Sequence, residues 1–127
     1  DLSVVPACIF TIPEIASVGV SERQAKEGGR AVTVGRFPFA ALGRALAMGE
    51  TEGQVRLICE TGSGKVLGMH VMGPHASDLI AEGALAVRLG LTARDLADTI
   101  HAHPTLPEAT AEAAMGVYGE AIHQRKV

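Results

Sequence analysis

The sequence predicts an α+β fold, an antiparallel β-sheet covered by helices. Three observations carry it. The first part of the chain holds apolar runs that alternate with polar residues, the period of half-buried strands. A glycine-rich turn joins two of these runs back to back, which implies an antiparallel hairpin. The last third changes to the 3.6-residue period of helices with one apolar face. Strands first and helices last places the chain among sheets covered by helices.

The elements follow in order. Residues 7–20 are apolar and β-rich but interrupted by Pro13, so they read as two short strands, 7–11 and 15–20. Ser21 opens S-E-R-Q, a capping-box pattern, and a short helix runs from there until Gly28-Gly29 stops it. Residues 31–37 alternate and form the next strand, and 39–53 read mostly as loop. In 54–60, Val55, Leu57 and Cys59 share one face with Arg56 opposite. Thr61-Gly62-Ser63-Gly64 is a turn cluster. The alternation resumes over 65–72, with Leu67, Met69 and Val71 together. Ala76, Leu79, Ile80, Gly83, Ala84 and Val87 make a helical stripe that Gly90 closes. Thr92-Ala93-Arg94-Asp95 opens a further short helix. A final helix is expected from 106 to about 125, acidic early and with His123, Arg125 and Lys126 late, as the helix dipole favours.

The chain has 127 residues, enough for one domain with a core of its own, and no repeat or second domain interrupts residues 1–127. Aromatic residues are scarce and alanine is abundant. The core is therefore expected to bring backbones close together. A net charge of -3 without a Lys/Arg cluster argues against a nucleic-acid partner. No apolar run approaches the roughly 18 residues of a membrane span. The opening DLSVVPACIF lacks a basic stretch ahead of an apolar one, so it reads as a cut within a longer chain and not as a signal peptide. Cys8 and Cys59 form no CxxC or CxxxxC pair, and the expectation is two ordinary buried thiols in a cytoplasmic protein.

Three motifs bear on chemistry. Thr61–Lys65, T-G-S-G-K, faintly suggests a phosphate loop, but the GxxxxGK[ST] spacing is incomplete and a strand follows where a helix is required, so a hairpin turn is the better reading. His101-Ala102-His103 could offer two metal ligands from one face, but zinc sites need three or four, and nothing else has ligand spacing, so no metal is expected. The third is His103-Pro104-Thr105-Leu106-Pro107-Glu108. It fits a capping box, with Thr105 as N-cap, Glu108 three residues on, and Pro107 in the first turn where a missing N–H does no harm. The same geometry places a carboxylate within reach of an imidazole. A carboxylate there fixes the tautomer, orients the ring and favours its protonated form, which makes a general acid/base. Spacing alone leaves both accounts open.

Residues along nearly the whole chain resemble the pyridine nucleotide–disulfide oxidoreductase family. They include Phe10-Thr11-Ile12-Pro13-Glu14-Ile15-Ala16-Ser17-Val18-Gly19, Phe37-Pro38-Phe39, Arg44-Ala45, Val66-Leu67-Gly68-Met69-His70, Gly73-Pro74-His75-Ala76, Leu79-Ile80 and His101 through Ala109. Each piece is modestly specific, and their order and spacing together are highly specific. Within the family, the flanking His101-Ala102 and the step at Leu106 look most like the members that oxidise dihydrolipoamide, while glutathione reductase-like members share the His-Pro-Thr core.

The resemblance implies a C-terminal dimerisation domain of a homodimeric enzyme that uses FAD and NAD and serves the lipoyl domains of 2-oxo acid dehydrogenase complexes. It implies that His103 is the acid/base for thiols in the partner subunit's active site, with Glu108 as its carboxylate. It places His103 and Pro104 at the partner's flavin edge, with their peptide bond cis. Pro107 stands where many members have serine. The chain itself holds no GxGxxG fingerprint and no redox cysteine pair, so it is expected to be inactive alone and to bind no cofactor by itself. Two readings stand beside this one: the corresponding domain of a glutathione reductase-like enzyme, and a dimerisation module without a catalytic part. The helix from Ala76 to Val87 and the final helix are either packed between subunits or packed only on their own sheet.

Overall fold

The computed structural model describes residues 2–124. Five strands, β1 (Ala7–Ile9), β2 (Glu14–Gly19), β3 (Val32–Pro38), β4 (Gln54–Glu60) and β5 (Val66–Gly73), make one sheet in the spatial order β1-β2-β5-β4-β3. Every neighbouring pair is antiparallel, and β4–β5 is the expected hairpin. Five helices accompany it: α1 (Glu22–Glu27), α2 (Gly43–Met48), α3 (Ala76–Leu89), α4 (Ala93–Asp98) and α5 (Glu108–Val117). α3 lies across β2 and β5, and α5 lies across β3 and β4. The main core sits between sheet and helices, with Phe37, Phe39, Val55, Leu57, Met69 and Ile80 among its fully buried side chains.

Several local signals operate as the sequence indicates. Ser21 and Gln24 form both halves of the capping box of α1, and Thr92 and Asp95 do the same for α4. Gly90 closes α3 in the left-handed conformation that glycine adopts without strain. The small residues of α3 and α5 set how closely the helices approach the sheet. A Cβ at Gly83 would lie 2.5 Å from Met69 Sδ, and one at Gly35 in β3 would lie 2.0 Å from the Ala113 carbonyl oxygen of α5. Both helices therefore pack on their own sheet. On α3, Ala86 is fully buried, while Ala84 and Val87 are only partly so.

Four features depart from the sequence reading. The stretch 39–53 is not mostly loop: it holds a 3-10 turn, Phe39–Ala41, and α2. The N-cap of α2 is Leu42, which offers no capping side chain, so nothing local announces the helix. In β5 the register shifts opposite Ile58 and Cys59: Gly68 pairs with Ile58 and Val66 with Cys59. The extra residue, Leu67, belongs to a bulge, so Val66 replaces it in the core beside Met69 and Val71. Ile58 is buried on the face expected to be polar. α1 covers that face, its Glu22 pairing with Arg36 and Arg56, and its Ala25 is buried.

The last departure is the final helix, which stops at Val117 and not near residue 125. Gly119 turns the chain at φ 70°, and the buried Glu112 carboxylate accepts the backbone N–H groups of Ile122 and His123 and bonds the His123 ring. His123 thus meets a carboxylate on the side of the helix and not the helix end. Arg125 and Lys126 lie outside the described residues.

Candidate active site

The segment from Thr99 to Pro107 joins α4 to α5 and carries the candidate residues. Thr99 ends α4 with its hydroxyl donating to the Asp95 carbonyl at 2.7 Å. Further on, the Thr105 hydroxyl donates to the Ala102 carbonyl at 2.6 Å, which closes the chain around the cis His103–Pro104 bond. Ile12–Pro13 is also cis.

The capping box expected at Thr105 is only half formed. Glu108 Oε2 accepts the Thr105 N–H at 2.8 Å, but the Thr105 hydroxyl, which donates to the Ala102 carbonyl, receives no return bond from the Glu108 N–H, and the N-cap is Pro107, not Thr105. The first-turn N–H groups of Ala109 and Thr110 are met instead by the Leu106 and Pro107 carbonyls. The carboxylate is thereby held at the helix start with its second oxygen free for a side chain.

That oxygen, Oε1, lies 2.8 Å from His103 Nδ1. The structure therefore brings together the two residues singled out from sequence. The carboxylate can only accept, so Nδ1 carries a hydrogen, and in the neutral ring the lone pair is left on Nε2. No hydrogen bond from the described residues reaches Nε2. The His103 side chain is 78% exposed, against 24% for Glu108. Burial pushes the Glu108 pKa up, but the Thr105 N–H and the hydrogen bond and charge of His103 outweigh it, and the net direction is down. The result is an ionised carboxylate anchored to backbone, and an imidazole whose basic nitrogen points away from its own chain.

The remaining titratable groups are engaged elsewhere. His101 does not join His103 as a chelate: its Nδ1 faces the Thr99 carbonyl at 2.9 Å and its Nε2 faces Glu82 Oε1 at 2.8 Å. His70 bonds the Val20 carbonyl from β5, and His75 bonds Asp78 at the start of α3. Among the described residues no three His, Cys, Asp or Glu side chains are grouped to hold a metal. Both cysteines are free, but only Cys59 is buried as expected; Cys8, on the edge strand β1, is half-buried. Burial pushes the Cys59 thiol up to about 12, which keeps it protonated and unreactive. Thr61–Gly64 is a hairpin turn in which Ser63 donates to Glu60, not a phosphate cradle.

Sequence reasoning missed two tertiary pairings and one cleft. Glu82 meets His101 from 19 residues away. Glu14 accepts the Ser77 N–H and so caps α3 from β2, 63 residues away. Arg44 of α2 lines a cleft of about 560 Å³ together with Glu82, Pro104, Leu106 and Pro107, beside the candidate loop. None of these has a local signal, because each depends on how separate elements pack.

An exposed imidazole backed by a carboxylate, on a five-stranded antiparallel sheet flanked by helices, defines a class. The chain belongs to the family of pyridine nucleotide-disulphide oxidoreductase dimerisation domains, whose family model matches residues 5–114. Among similar proteins, a dihydrolipoyl dehydrogenase of Bacillus subtilis is 46% identical over 97% of this chain, and one of Haloferax volcanii is 50% identical over 97%. The chain spans only 26% of the length of each. Among solved structures, LpdA of Mycobacterium tuberculosis superimposes with a TM-score of 0.84 at 36% identity, over 90% of this chain and 25% of that one. The HOCl-induced flavoprotein disulfide reductase RclA of Escherichia coli gives 0.79 at 30% identity, over 84% of this chain and 24% of that one.

Proposed function

We propose that this chain is the dimerisation domain of a dihydrolipoyl dehydrogenase and that its His103–Glu108 pair is the acid/base for the partner subunit's thiols. The observation that carries the reading is the division of labour at His103. Nδ1 is committed to Glu108, and Nε2 is presented outward on a loop whose exposed residues, Ala102 to Pro104, are small apart from the imidazole. A base facing away from its own domain suits a reaction completed by a second subunit.

The step this chain performs is a proton transfer. A dihydrolipoyl thiol gives its proton to Nε2, leaving a thiolate, the form that attacks disulfides. The thiolate bonds one sulfur of the partner subunit's redox disulfide and expels the other sulfur as a thiolate. The imidazolium left behind is matched by the Glu108 carboxylate and can return its proton in the reverse direction. Such assistance is typically worth about 10²–10⁴-fold in rate. FAD and NAD would supply the two-electron acceptors in the full-length enzyme. His103 and Pro104 would meet the flavin edge of the partner, and their exposure leaves them accessible to a planar group.

The full-length protein would be a homodimer serving the lipoyl domains of 2-oxo acid dehydrogenase complexes. Identities of 46% and 50% to dihydrolipoyl dehydrogenases support the lipoyl substrate.

In the full-length homodimer, His103→Gln should lower dihydrolipoamide oxidation by about 10²-fold or more while the flavin absorbance is unchanged. Near-normal turnover would remove the dyad from the mechanism and leave a dimerisation module.

A further inference from the structure

We propose that Glu82 and His101 are positioning residues, a mooring that fixes the loop carrying His103 to the middle of α3. The proposal rests on the dyad reading of His103 and Glu108 given above. It starts from a contrast between two histidines two positions apart. The His101 side chain is 9% exposed and the His103 side chain 78%. His103 keeps one nitrogen free, whereas both nitrogens of His101 face acceptors: the Thr99 carbonyl at 2.9 Å and Glu82 Oε1 at 2.8 Å. Both ring nitrogens of His101 are thus within hydrogen-bond distance of oxygens of its own chain, one on the backbone and one on α3.

A buried ring with both nitrogens engaged makes a firm tie. Thr99 is the C-cap of α4 and Glu82 lies in α3, so His101 fastens the start of the loop to two helices at once. Beyond it, the bonds through Thr105 to Ala102 and to Glu108 set the far end. His103 sits between these two anchorages. Misplacing a reacting group by about 1 Å can cost on the order of 10²-fold in rate, which is the scale on which a lost mooring would be felt.

The test reads the His103 ring directly. With the histidines labelled with ¹⁵N, and at a pH where the His103 ring is neutral, the 127-residue chain should show that ring as a single tautomer with its hydrogen on Nδ1. Glu82→Ala should turn this into a mixture containing the Nε2–H form, and Glu82→Gln, which keeps an acceptor oxygen, should restore most of the single tautomer. In the full-length enzyme Glu82→Ala should lower kcat for dihydrolipoamide oxidation about tenfold with KM little changed. If Glu82→Ala does not fold, His101→Gln is read by the same His103 signals.

An unchanged Nδ1–H tautomer in whichever of these variants folds would overturn the mooring and leave the dyad untouched. Full activity of His103→Gln would instead overturn the dyad reading, whatever the ring of His103 does in the Glu82 variants.

Discussion

At the scale of single residues, the site turns on what an acceptor-only group does to a neighbouring ring. Glu108 uses one oxygen on the Thr105 N–H and the other on His103, and this fixes which imidazole nitrogen is basic. Glu108→Gln keeps an acceptor for the Thr105 N–H but turns its NH₂ toward His103, so the bond there survives only with the ring hydrogen moved to Nε2, where no base is left. Dithiol oxidation in the full-length enzyme should fall by roughly tenfold to 10²-fold, less than for His103→Gln.

The same carboxylate predicts a pH dependence of stability. Its folded pKa lies below the unfolded value of about 4.3. Its contribution is therefore complete above the unfolded pKa and is lost as pH falls through the lower folded one. Urea unfolding of the chain and of Glu108→Gln should show the largest gap near pH 7, closing below about pH 4. A gap that stays constant into acid would mean that the contacts of Glu108 do not depend on its charge.

At the scale of elements, glycine and alanine decide where helices sit. At Gly35 an added methyl would meet the Ala113 carbonyl at 2.0 Å and Val117 Cγ2 at 2.8 Å. A backbone carbonyl cannot rotate away, so Gly35→Ala should destabilise by about 1–3 kcal/mol or more, read as a lower unfolding midpoint. Gly83→Ala meets Met69 Sδ at 2.5 Å and Cβ at 2.7 Å. Met69 can yield in part, and alanine is favoured over glycine in a helix by about 1 kcal/mol, so this variant should be the milder of the two.

Elements with a local signature were legible in the sequence. The capping boxes at Ser21 and Thr92, the Gly90 stop and the Thr61–Gly64 turn each need only neighbouring residues. α2 was not legible, because its cap is Leu42 and its anchor is the burial of Phe39 and Ala45. The Leu67 bulge and the early end of α5 also escaped, since one depends on pairing with β4 and the other on the fold-back of Ile122 and His123 onto Glu112. The His103–Glu108 contact was visible as one of two readings of the same six residues. The Glu82–His101 contact was not visible at all.

At the scale of the whole molecule, the proposed homodimer needs a surface near the loop, and the structure offers one. Leu85 and Leu89 share the stripe of α3 that carries Glu82, and they are 56% and 64% exposed. Ile100, next to His101, is 97% exposed. Large apolar side chains gathered beside a reactive loop are what a subunit contact would cover. In the full-length enzyme, Leu85→Asp with Leu89→Asp should raise the dimer dissociation constant by at least tenfold in sedimentation while secondary structure is retained. Unchanged association would place the contact elsewhere. No helix among the described residues is long and apolar enough to cross a membrane.

The close seating of α5 on β3 has a further meaning. A helix resting on long side chains can be shifted by repacking them, and its tip then moves with every change in the core. α5 instead meets the sheet with the carbonyl of Ala113 against the Cα of Gly35, a hard stop in the backbone itself. Glu108, one and a half turns up the same helix, inherits that stop as its reference point. Conservative exchanges among the core aliphatics should then alter how firmly the domain holds together without altering where its basic nitrogen stands.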